Sequence, residues 1–417
     1  MKVFLRSGAA LTVALNVATS GTGNANTALP TRSGNAVASR AFVTSRLNRR
    51  VPPATYQTLY SFVGYRAGYS AVPDGSIPVA GLLNEGGTLY GTTEYSGAFD
   101  AGAVFEILPS GQEHVIHSFA GGSDGANPQS ALIDVGGTMY GTTAAGGGIT
   151  EVGTVFKITP SGQESPIYAF TGAADGGYPL APLLDVGGTM YGTTFLGGAS
   201  QHGTVFAVTP SGQETVLYGF KGGTDGAYPE AGLLQVGNTL YGTTLQGGGT
   251  GCARKEGCGT VFAITTAGVE TVLHRFGGGK DGAYPGTGSL LAVGNTLYGT
   301  TSGGGANGLG TVFAIATTGT ESVLYSFKGS SDGADPDAGL IEAGGTLYGT
   351  TIQGGASNAG TIFDITTSGQ ESVLYSFAGS KDGEHPYAGL LSVGNALFGT
   401  TAGGGAAGDG TIFSLTP

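Results

Sequence analysis

The chain has 417 residues, of which 83 are glycine and only 11% are charged, and its net charge is −12. Without a repeat, this composition would indicate low complexity, and this length would indicate two or three domains. Residues 1–55 carry seven basic and no acidic residues, whereas the remainder carries 9 basic and 28 acidic residues, a net charge of −19. A body this acidic argues against nucleic-acid binding, because phosphate needs a basic surface.

The first 55 residues differ from the rest and are predicted to lie outside the folded body. Lys2 and Arg6 flank the start of an apolar run at 9–18, and small residues follow at 23–25. This order is typical of a secretory signal peptide, and the run is too short to span a bilayer in the mature chain. We predict a signal peptide over 1–25, a flexible basic linker over 26–55 and an extracytoplasmic location. The alternative is a disordered basic tail on a cytosolic protein.

Beyond residue 55, a Tyr/Phe-Gly-Thr-Thr element recurs seven times at nearly constant spacing. Its glycines are Gly91, Gly141, Gly192, Gly242, Gly299, Gly349 and Gly399. The steps between them are 50, 51, 50, 57, 50 and 50 residues. Such a period indicates a propeller, solenoid or array, in which one repeat cannot bury its own apolar face and the repeats pack as a single body.

Each repeat contains four segments with strand character. In the fourth repeat these are residues 231–234, 239–244, 260–265 and 270–276. Turn residues separate them and no helical period is present, which is typical of a four-stranded propeller blade. Residues 56–62 resemble a fourth strand, whereas the last repeat ends after its third. We therefore predict an all-β, seven-bladed propeller over 56–417, closed by the N-terminal strand completing the last blade.

Two sets of residues recur in the loops that lead from one repeat to the next. Asp-Gly pairs occur at Asp74, Asp124, Asp175, Asp225, Asp281, Asp332 and Asp382. The residue before the following proline is tyrosine in three consecutive repeats, at Tyr178, Tyr228 and Tyr284. Because tyrosine offers a flat apolar ring and a polar tip, these tyrosines with Asp175, Asp225 and Asp281 are the predicted site for a glycan or protein ligand. The alternatives are aspartates that bind their own loops and tyrosines that cover the blade junctions.

A cation site and a disulfide are the remaining candidates. Asp332, Asp335 and Asp337 provide the oxygen ligands that Ca²⁺ prefers, although their spacing differs from an EF-hand loop. No other cofactor is predicted. Cys252 and Cys258, the only cysteines, lie in a loop that is seven residues longer in the fourth repeat. Two neighbouring cysteines in an exported chain predict a disulfide.

No catalytic constellation is apparent in the sequence. Two Gly-x-Ser-x-Gly matches lack the following helix that a nucleophile elbow requires. His114 and His117 lie three residues apart on a predicted strand, so we expect them on opposite faces, where they cannot share a metal. The predicted function is a monomeric binding or scaffold module without catalysis. The alternatives are a hydrolase or lyase that acts on polysaccharide through the Asp/Tyr loops, and a purely structural envelope protein.

The repeat also resembles a known family. The unit Gly-Leu-Leu-x-x-Gly-(Gly/Asn)-Thr-Leu-Tyr-Gly-Thr-Thr is followed by Gly-Gly, Gly-Thr-Val-Phe-x-Ile-Thr, Ser-Gly-x-Glu and Leu-Tyr-x-Phe. Over residues 56–417 this order closely resembles the GloVer-type, or choice-of-anchor, tandem-repeat family of bacterial exported proteins. The layout is more distantly similar to kelch repeats, although the chain has no tryptophan. The resemblance implies an extracytoplasmic location, often with a C-terminal surface anchor, and transfers no catalytic residues.

Overall fold

The computed structural model describes residues 54–64, 74–249, 251–252 and 256–417. The predicted signal peptide and the predicted linker, apart from residues 54 and 55, lie outside these ranges. Within them the protein is a ring of seven antiparallel sheets, with two short 3-10 turns at Gly122–Asp124 and Gly279–Asp281. The predicted all-β, seven-bladed propeller is confirmed. Over the same ranges, no helix has the length and apolar character needed to cross a membrane.

The first strand in the chain, β1 (Thr55–Ser61), belongs to the last blade. Blade 1 contains β2 (Leu83–Glu85), β3 (Thr88–Thr93), β4 (Ala103–Ile107) and β5 (Glu113–Ser118). Blade 2 contains β6 (Ile133–Val135), β7 (Thr138–Thr143), β8 (Thr154–Ile158) and β9 (Glu164–Ala169). Blade 3 contains β10 (Leu184–Val186), β11 (Thr189–Thr194), β12 (Thr204–Val208) and β13 (Glu214–Gly219).

Blade 4 contains β14 (Leu234–Val236), β15 (Thr239–Thr244), β16 (Thr260–Thr265) and β17 (Glu270–Arg275). Blade 5 contains β18 (Ala283–Pro285), β19 (Leu291–Val293), β20 (Thr296–Gly303), β21 (Thr311–Ala316) and β22 (Glu321–Ser326). Blade 6 contains β23 (Ile341–Ala343), β24 (Thr346–Thr351), β25 (Thr361–Ile365) and β26 (Glu371–Ser376). Blade 7 contains β27 (Leu391–Val393), β28 (Ala396–Thr401) and β29 (Thr411–Thr416), with β1 as its outer strand.

The Gly-Thr-Thr element occupies the second strand of every blade, and its glycine and second threonine hold the blade together. A Cβ atom at Gly242 would lie only 2.6 Å from the ring of Phe262 on the neighbouring strand. Glycine is therefore required for this ring to lie flat across the strand. The hydroxyl of Thr244 is 2.8 Å from that of Thr260, which joins the second strand to the third.

The first threonine of the element joins neighbouring blades around the axis. Thr193 Oγ1 donates to the carbonyl of Ala231 in the next blade at 3.1 Å. The equivalent bond from Thr400 to the carbonyl of Ala80 closes the ring at 3.2 Å. Because the segment around Ala231 bonds to the preceding blade, strand β14 begins at Leu234, later than the sequence predicts.

The hydrophobic core is divided among the spaces between neighbouring blades. Phe220 of blade 3 packs edge-on against Phe262 of blade 4, with 5.2 Å between ring centroids. Phe62, just after β1, is fully buried in the equivalent space between blades 7 and 1. Its ring lies 5.1 Å from that of Phe105. The N-terminal strand thus supplies core residues as well as backbone pairing, which confirms the predicted closure.

Candidate functional site

Each Asp-Gly loop is held by its own aspartate. In six loops the carboxylate accepts a hydrogen bond from the backbone N–H four residues earlier, and in the first loop from that of Val63. The seven aspartates are Asp74, Asp124, Asp175, Asp225, Asp281, Asp332 and Asp382. These N···O distances lie between 2.6 and 3.1 Å. Any ligand would therefore meet carboxylates that already take part in loop bonding.

Each of these aspartates lies between two outer strands. One strand contributes a tyrosine or histidine, and the outer strand of the next blade contributes a second residue. In five junctions a tyrosine hydroxyl donates to the aspartate over 2.6 to 3.0 Å. These pairs are Tyr60–Asp74, Tyr168–Asp175, Tyr218–Asp225, Tyr325–Asp332 and Tyr375–Asp382. In the other two, His117 Nε2 lies 3.3 Å from Asp124 Oδ1, and His274 Nε2 lies 3.4 Å from Asp281 Oδ1.

A glutamate from the next blade completes six of these groups, which we name the junction triads. The glutamates are Glu113, Glu164, Glu214, Glu270, Glu321 and Glu371. In the junction between blades 6 and 7, Tyr56 stands at the glutamate position and donates to the carbonyl of Asp382. The triads were not predicted from the sequence. Their signal was a glutamate four residues before the tyrosine or histidine in six repeats.

A β-bulge lets one outer strand serve two triads. In β13, Glu214 pairs with Val208 and Tyr218 pairs with Val205, so four residues of β13 span three residues of β12. The odd number places the two side chains on opposite faces of the blade. Glu214 therefore faces Asp175 on one side, and Tyr218 bonds to the next aspartate on the other.

The same bulge makes our expectation for the two neighbouring histidines wrong. His114 pairs with Glu106 and His117 pairs with Val104, which are two residues apart on β4, so both histidines lie on one face. They nevertheless contact different carboxylates. His114 Nδ1 is 3.1 Å from Glu106 Oε1, whereas His117 Nε2 faces Asp124.

Burial raises the pKa of the triad glutamates. The pKa rises from 4.5 to about 7 in Glu113, Glu214, Glu270 and Glu321, and to about 8 in Glu164. Removal of the carboxyl group from water is the largest cause, and the aspartate of the same triad adds to it. The glutamates thus carry protons near neutral pH that exposed carboxylates would have lost.

The residue before proline in each connecting loop has a left-handed backbone. Its φ lies between 55° and 59° at Ile77, Asn127, Tyr178, Tyr228, Tyr284, Asp335 and His385. Side chains other than glycine rarely adopt this conformation, and it persists only where the surroundings fix it. At Tyr228 the N–H donates to the carbonyl of His202 at 2.9 Å, and the carbonyl accepts from Leu245 N at 3.0 Å. The backbone is therefore equivalent at all seven positions, while the side chain varies.

Tyr228 lies in a cluster that includes the long loop of blade 4. Its ring centroid is 5.3 Å from that of Phe195 and 5.5 Å from that of His202. Glu256 reaches this cluster from the long loop, with its Oε2 3.8 Å from His202 Nε2. Burial, together with a hydrogen bond to Glu256, raises the pKa of Tyr228 to about 12. Apolar rings and polar groups thus lie next to one another in this cluster.

A disulfide fixes the base of the same loop. Cys252 and Cys258 are bonded, with 5.4 Å between their Cα atoms. Cys258 is buried in the core between blades 4 and 5, and its carbonyl accepts the N–H of Tyr284 at 2.7 Å. Tyr178 is half-buried against the core between blades 2 and 3. The three predicted tyrosines occupy equivalent positions in neighbouring junctions, and we name them the tyrosine arc.

Comparison with known proteins agrees with this architecture. The model of the Gloeobacter/Verrucomicrobia repeat matches residues 50–254 and 250–417. The chain belongs to this repeat family. The resemblance seen in the tandem unit is thereby confirmed. No curated protein matches the sequence significantly.

Solved structures resemble this repeat-family protein at low identity. A lectin from Burkholderia pseudomallei is 8% identical with a TM-score of 0.53, over 82% of this chain and 96% of its own. A puromycin-hydrolysing peptidase from Mycobacterium tuberculosis is 10% identical with a TM-score of 0.48, over 83% of this chain and 53% of its own. An ulvan lyase is 10% identical with a TM-score of 0.45, over 86% and 95%. The likeness to the lectin shows the fold alone.

The three aspartates predicted to bind Ca²⁺ make separate contacts in this repeat-family protein. Asp332 accepts hydrogen bonds from Tyr325 Oη and from its own loop. Asp337 accepts from Thr287 Oγ1 at 3.0 Å, and Asp335 holds one of the left-handed positions. Calcium binding by this set stays a prediction.

A cavity of about 260 Å³ lies on the ring axis. Small residues such as Gly81 and Gly339 line it, with larger side chains from Gln129 and Tyr387. Sites for small molecules usually enclose about 300–1,000 Å³. The axial cavity lies below that range.

Proposed function

We propose that this protein is an exported, non-catalytic binding module that takes a glycan chain across the tyrosine arc. The observation that carries the proposal is the use of tyrosine at three of the seven left-handed positions, all in consecutive junctions. Strained backbone conformations concentrate at functional sites. The same side chain at successive equivalent positions suits a ligand that itself repeats, such as a polysaccharide.

The chemistry of the arc supports a sugar ligand. Tyr178, Tyr228 and Tyr284 are half-buried, so each keeps part of its ring accessible. The flat ring packs against the C–H face of a sugar, and the hydroxyl bonds to sugar hydroxyls. Phe195 adds apolar area beside Tyr228.

The neighbouring aspartates stabilise the loops that carry the tyrosines. Asp175, Asp225 and Asp281 each hold the backbone of the loop that leads to one tyrosine. Their other carboxylate contacts are made within the junction triads, with Tyr168, Tyr218 and His274. In this proposal the tyrosines contact the glycan and the aspartates preserve the loop shape.

Export rests on separate observations. Disulfides persist in oxidising compartments, and the two cysteines of the chain are bonded to one another. Lys2 and Arg6 flank the start of an apolar run that is typical of a signal peptide. Processing at a site near residue 25, read by N-terminal sequencing of the secreted protein, tests this part.

A polysaccharide-acting enzyme is the second candidate, because the triads supply what such catalysis needs. Glycoside hydrolysis uses two carboxyl groups, one of them with a raised pKa. The Glu–Asp pairs meet this description, yet they recur in six equivalent junctions. A group repeated in nearly every junction serves the ring more directly than it serves one substrate, so the binding module is favoured.

The test is a glycan array probed with the full-length protein, with and without Ca²⁺. In the test variant Tyr178, Tyr228 and Tyr284 are all replaced by asparagine, the residue that the ring already carries at the left-handed position of Asn127. A control variant changes Ile77 and His385, at equivalent positions outside the arc, to asparagine. We expect binding that is lost in the test variant and kept in the control.

Two results would overturn the proposal. No binding of any glycan by the unchanged protein would exclude a glycan module, and equal binding by the triple variant would exclude the arc. An assay for new reducing ends or unsaturated products on each bound glycan separates binding from catalysis. Turnover that disappears in Asp175→Asn would favour the enzyme.

A further inference from the structure

The two histidine-containing triads bring together a set of atoms that the tyrosine-containing triads do not. His117 comes from the outer strand of blade 1, Asp124 from the following loop and Glu164 from the outer strand of blade 2. One ligand atom from each lies within 4.8 Å of the others. His274, Asp281 and Glu321 form the same arrangement between blades 4 and 5. These are the two such groups among the described residues.

The spacing of these atoms suits a small tetrahedral ion. Two ligand atoms bound about 2.1 Å from a tetrahedral ion lie about 3.4 Å from each other. His117 Nε2 is 3.3 Å from Asp124 Oδ1 and 3.9 Å from Glu164 Oε2. In the second group, His274 Nε2 is 3.4 Å from Asp281 Oδ1. These separations are close to the spacing that a shared ion requires.

The first group also contains a buried carboxyl group, one oxygen of which has no hydrogen-bond partner. The Glu164 side chain is only 4% exposed, and its Oε1 has no hydrogen-bond partner. His117 Nε2 is buried and likewise forms no hydrogen bond with acceptable geometry. Asp124 uses Oδ2 to hold its loop through Ala120 N, which leaves Oδ1 facing the histidine. A buried nitrogen without a partner is costly, and a bound cation would satisfy His117 Nε2, with the carboxylates of Asp124 and Glu164 as its other ligands.

The unpartnered glutamate Oε1 is common to all six triads, and the tyrosine-containing triads explain why only two junctions add a nitrogen ligand to the two carboxylates. In the junction between blades 2 and 3, the hydroxyl of Tyr168 donates to Asp175 at 3.0 Å. A neutral donor therefore satisfies the aspartate there. An imidazole is shorter than a phenol and offers a ring nitrogen as a ligand instead. The two 3-10 turns of the described chain, Gly122–Asp124 and Gly279–Asp281, also occur in the histidine-containing loops.

We propose that His117, Asp124 and Glu164 bind a first-row transition-metal ion, best matched by Zn²⁺, and that His274, Asp281 and Glu321 form an equivalent second site. One imidazole nitrogen and two carboxylate oxygens are usual zinc ligands. Ca²⁺ takes six to eight oxygen ligands and is not matched by this set. His117 and Asp124 remain partly exposed, so water completes the coordination. Each ion links the outer strands of two blades.

The experiment counts metal ions in the full-length protein. The protein is stripped with a chelator and titrated with Zn²⁺ by calorimetry, and Co²⁺ gives an independent visible spectrum. Three variants are compared with the unchanged chain: His117→Tyr, His117→Tyr/His274→Tyr and Tyr168→His. Tyrosine is the residue that the ring already uses at this position, so the first two variants keep a native type of triad. His385→Ala serves as the control, because His385 lies outside the triads.

We expect two ions per chain in the unchanged protein and in His385→Ala, one in His117→Tyr and none in the double variant. Tyr168→His should gain a third ion. Zinc should raise the melting temperature of the unchanged protein and leave that of the double variant unaltered. No binding, or the same stoichiometry in the double variant, would overturn the proposal. A single ion that is lost in His117→Tyr would overturn the second site and keep the first.

Discussion

Replacement of Phe62 by alanine tests whether the N-terminal strand closes the ring in solution. Phe62 is fully buried between blades 7 and 1, where its ring packs on Phe105 at 5.1 Å. Truncation of a buried phenylalanine to alanine costs about 3–5 kcal/mol, because transfer and cavity terms add. The site is enclosed by the closing strand on one side and by blade 1 on the other, so little collapse can refill it. We therefore expect a loss of about 4 kcal/mol in the free energy of unfolding.

Two matched variants serve as controls for this prediction. Phe220→Ala removes the equivalent ring from the junction between blades 3 and 4, where no chain terminus takes part. Val63→Ala changes the residue next to Phe62, whose side chain is 41% exposed. Urea unfolding should show similar losses for Phe62→Ala and Phe220→Ala, and a change within about 0.5 kcal/mol for Val63→Ala. A loss below about 1 kcal/mol for Phe62→Ala, beside a full loss for Phe220→Ala, would refute closure by β1.

Two further predictions concern charge and the disulfide. The folded pKa of Glu214 is raised from 4.5 to about 7, so its stabilising contribution is complete below the unfolded pKa and is lost as the pH rises through about 7. Glu214→Gln should therefore reduce the fall in stability between pH 5 and pH 8 by about 1 kcal/mol, after allowance for partial exposure, and an unchanged fall in thermal melts would contradict this. Replacement of Cys252 and Cys258 by serine should lower the free energy of unfolding by about 2 kcal/mol. Dithiothreitol should do the same to the unchanged protein and nothing to the variant, and equal stability in all samples would exclude a stabilising disulfide.

The fold could be predicted from the sequence because each repeat carries the same local constraints. The glycine of Gly242-Thr243-Thr244 sits where a ring leaves no room for Cβ, and Thr244 joins two strands of the blade. Such constraints recur at a fixed period, and a period can be counted without knowledge of tertiary contacts. Residues 56–62 resemble a fourth strand that has no blade of its own, so they require a partner strand at the other end of the chain. The closing strand followed from that count.

The junction triads could not be predicted in the same way. Strand periodicity places residues four apart on one face, so Glu214 and Tyr218 would both have been assigned to one junction. The bulge in β13 reverses this, and no glycine or turn residue lies between Val216 and Tyr218 to signal it. His117 was misassigned for the same reason. A triad also draws its members from two blades, and period counting alone does not reveal which blade faces reach each other.

The closing junction shows how the triads depend on chain connectivity. Six junctions place a glutamate beside the loop aspartate, but the junction completed by β1 has Tyr56 at that position. Its ring stacks on Tyr375 with 4.0 Å between centroids, and its hydroxyl bonds to the carbonyl of Asp382. Elsewhere in the ring the outer strand is tethered to its blade by a short hairpin. The outer strand of blade 7 is joined to its blade only by non-covalent contacts, so a buried carboxyl group that gains charge as the pH rises would weaken the most easily separated strand. On this face of the strand aromatic stacking replaces the glutamate, whereas Tyr60 on the other face contacts Glu113. The contacts of Tyr56 are therefore expected to depend less on pH than those of the glutamates.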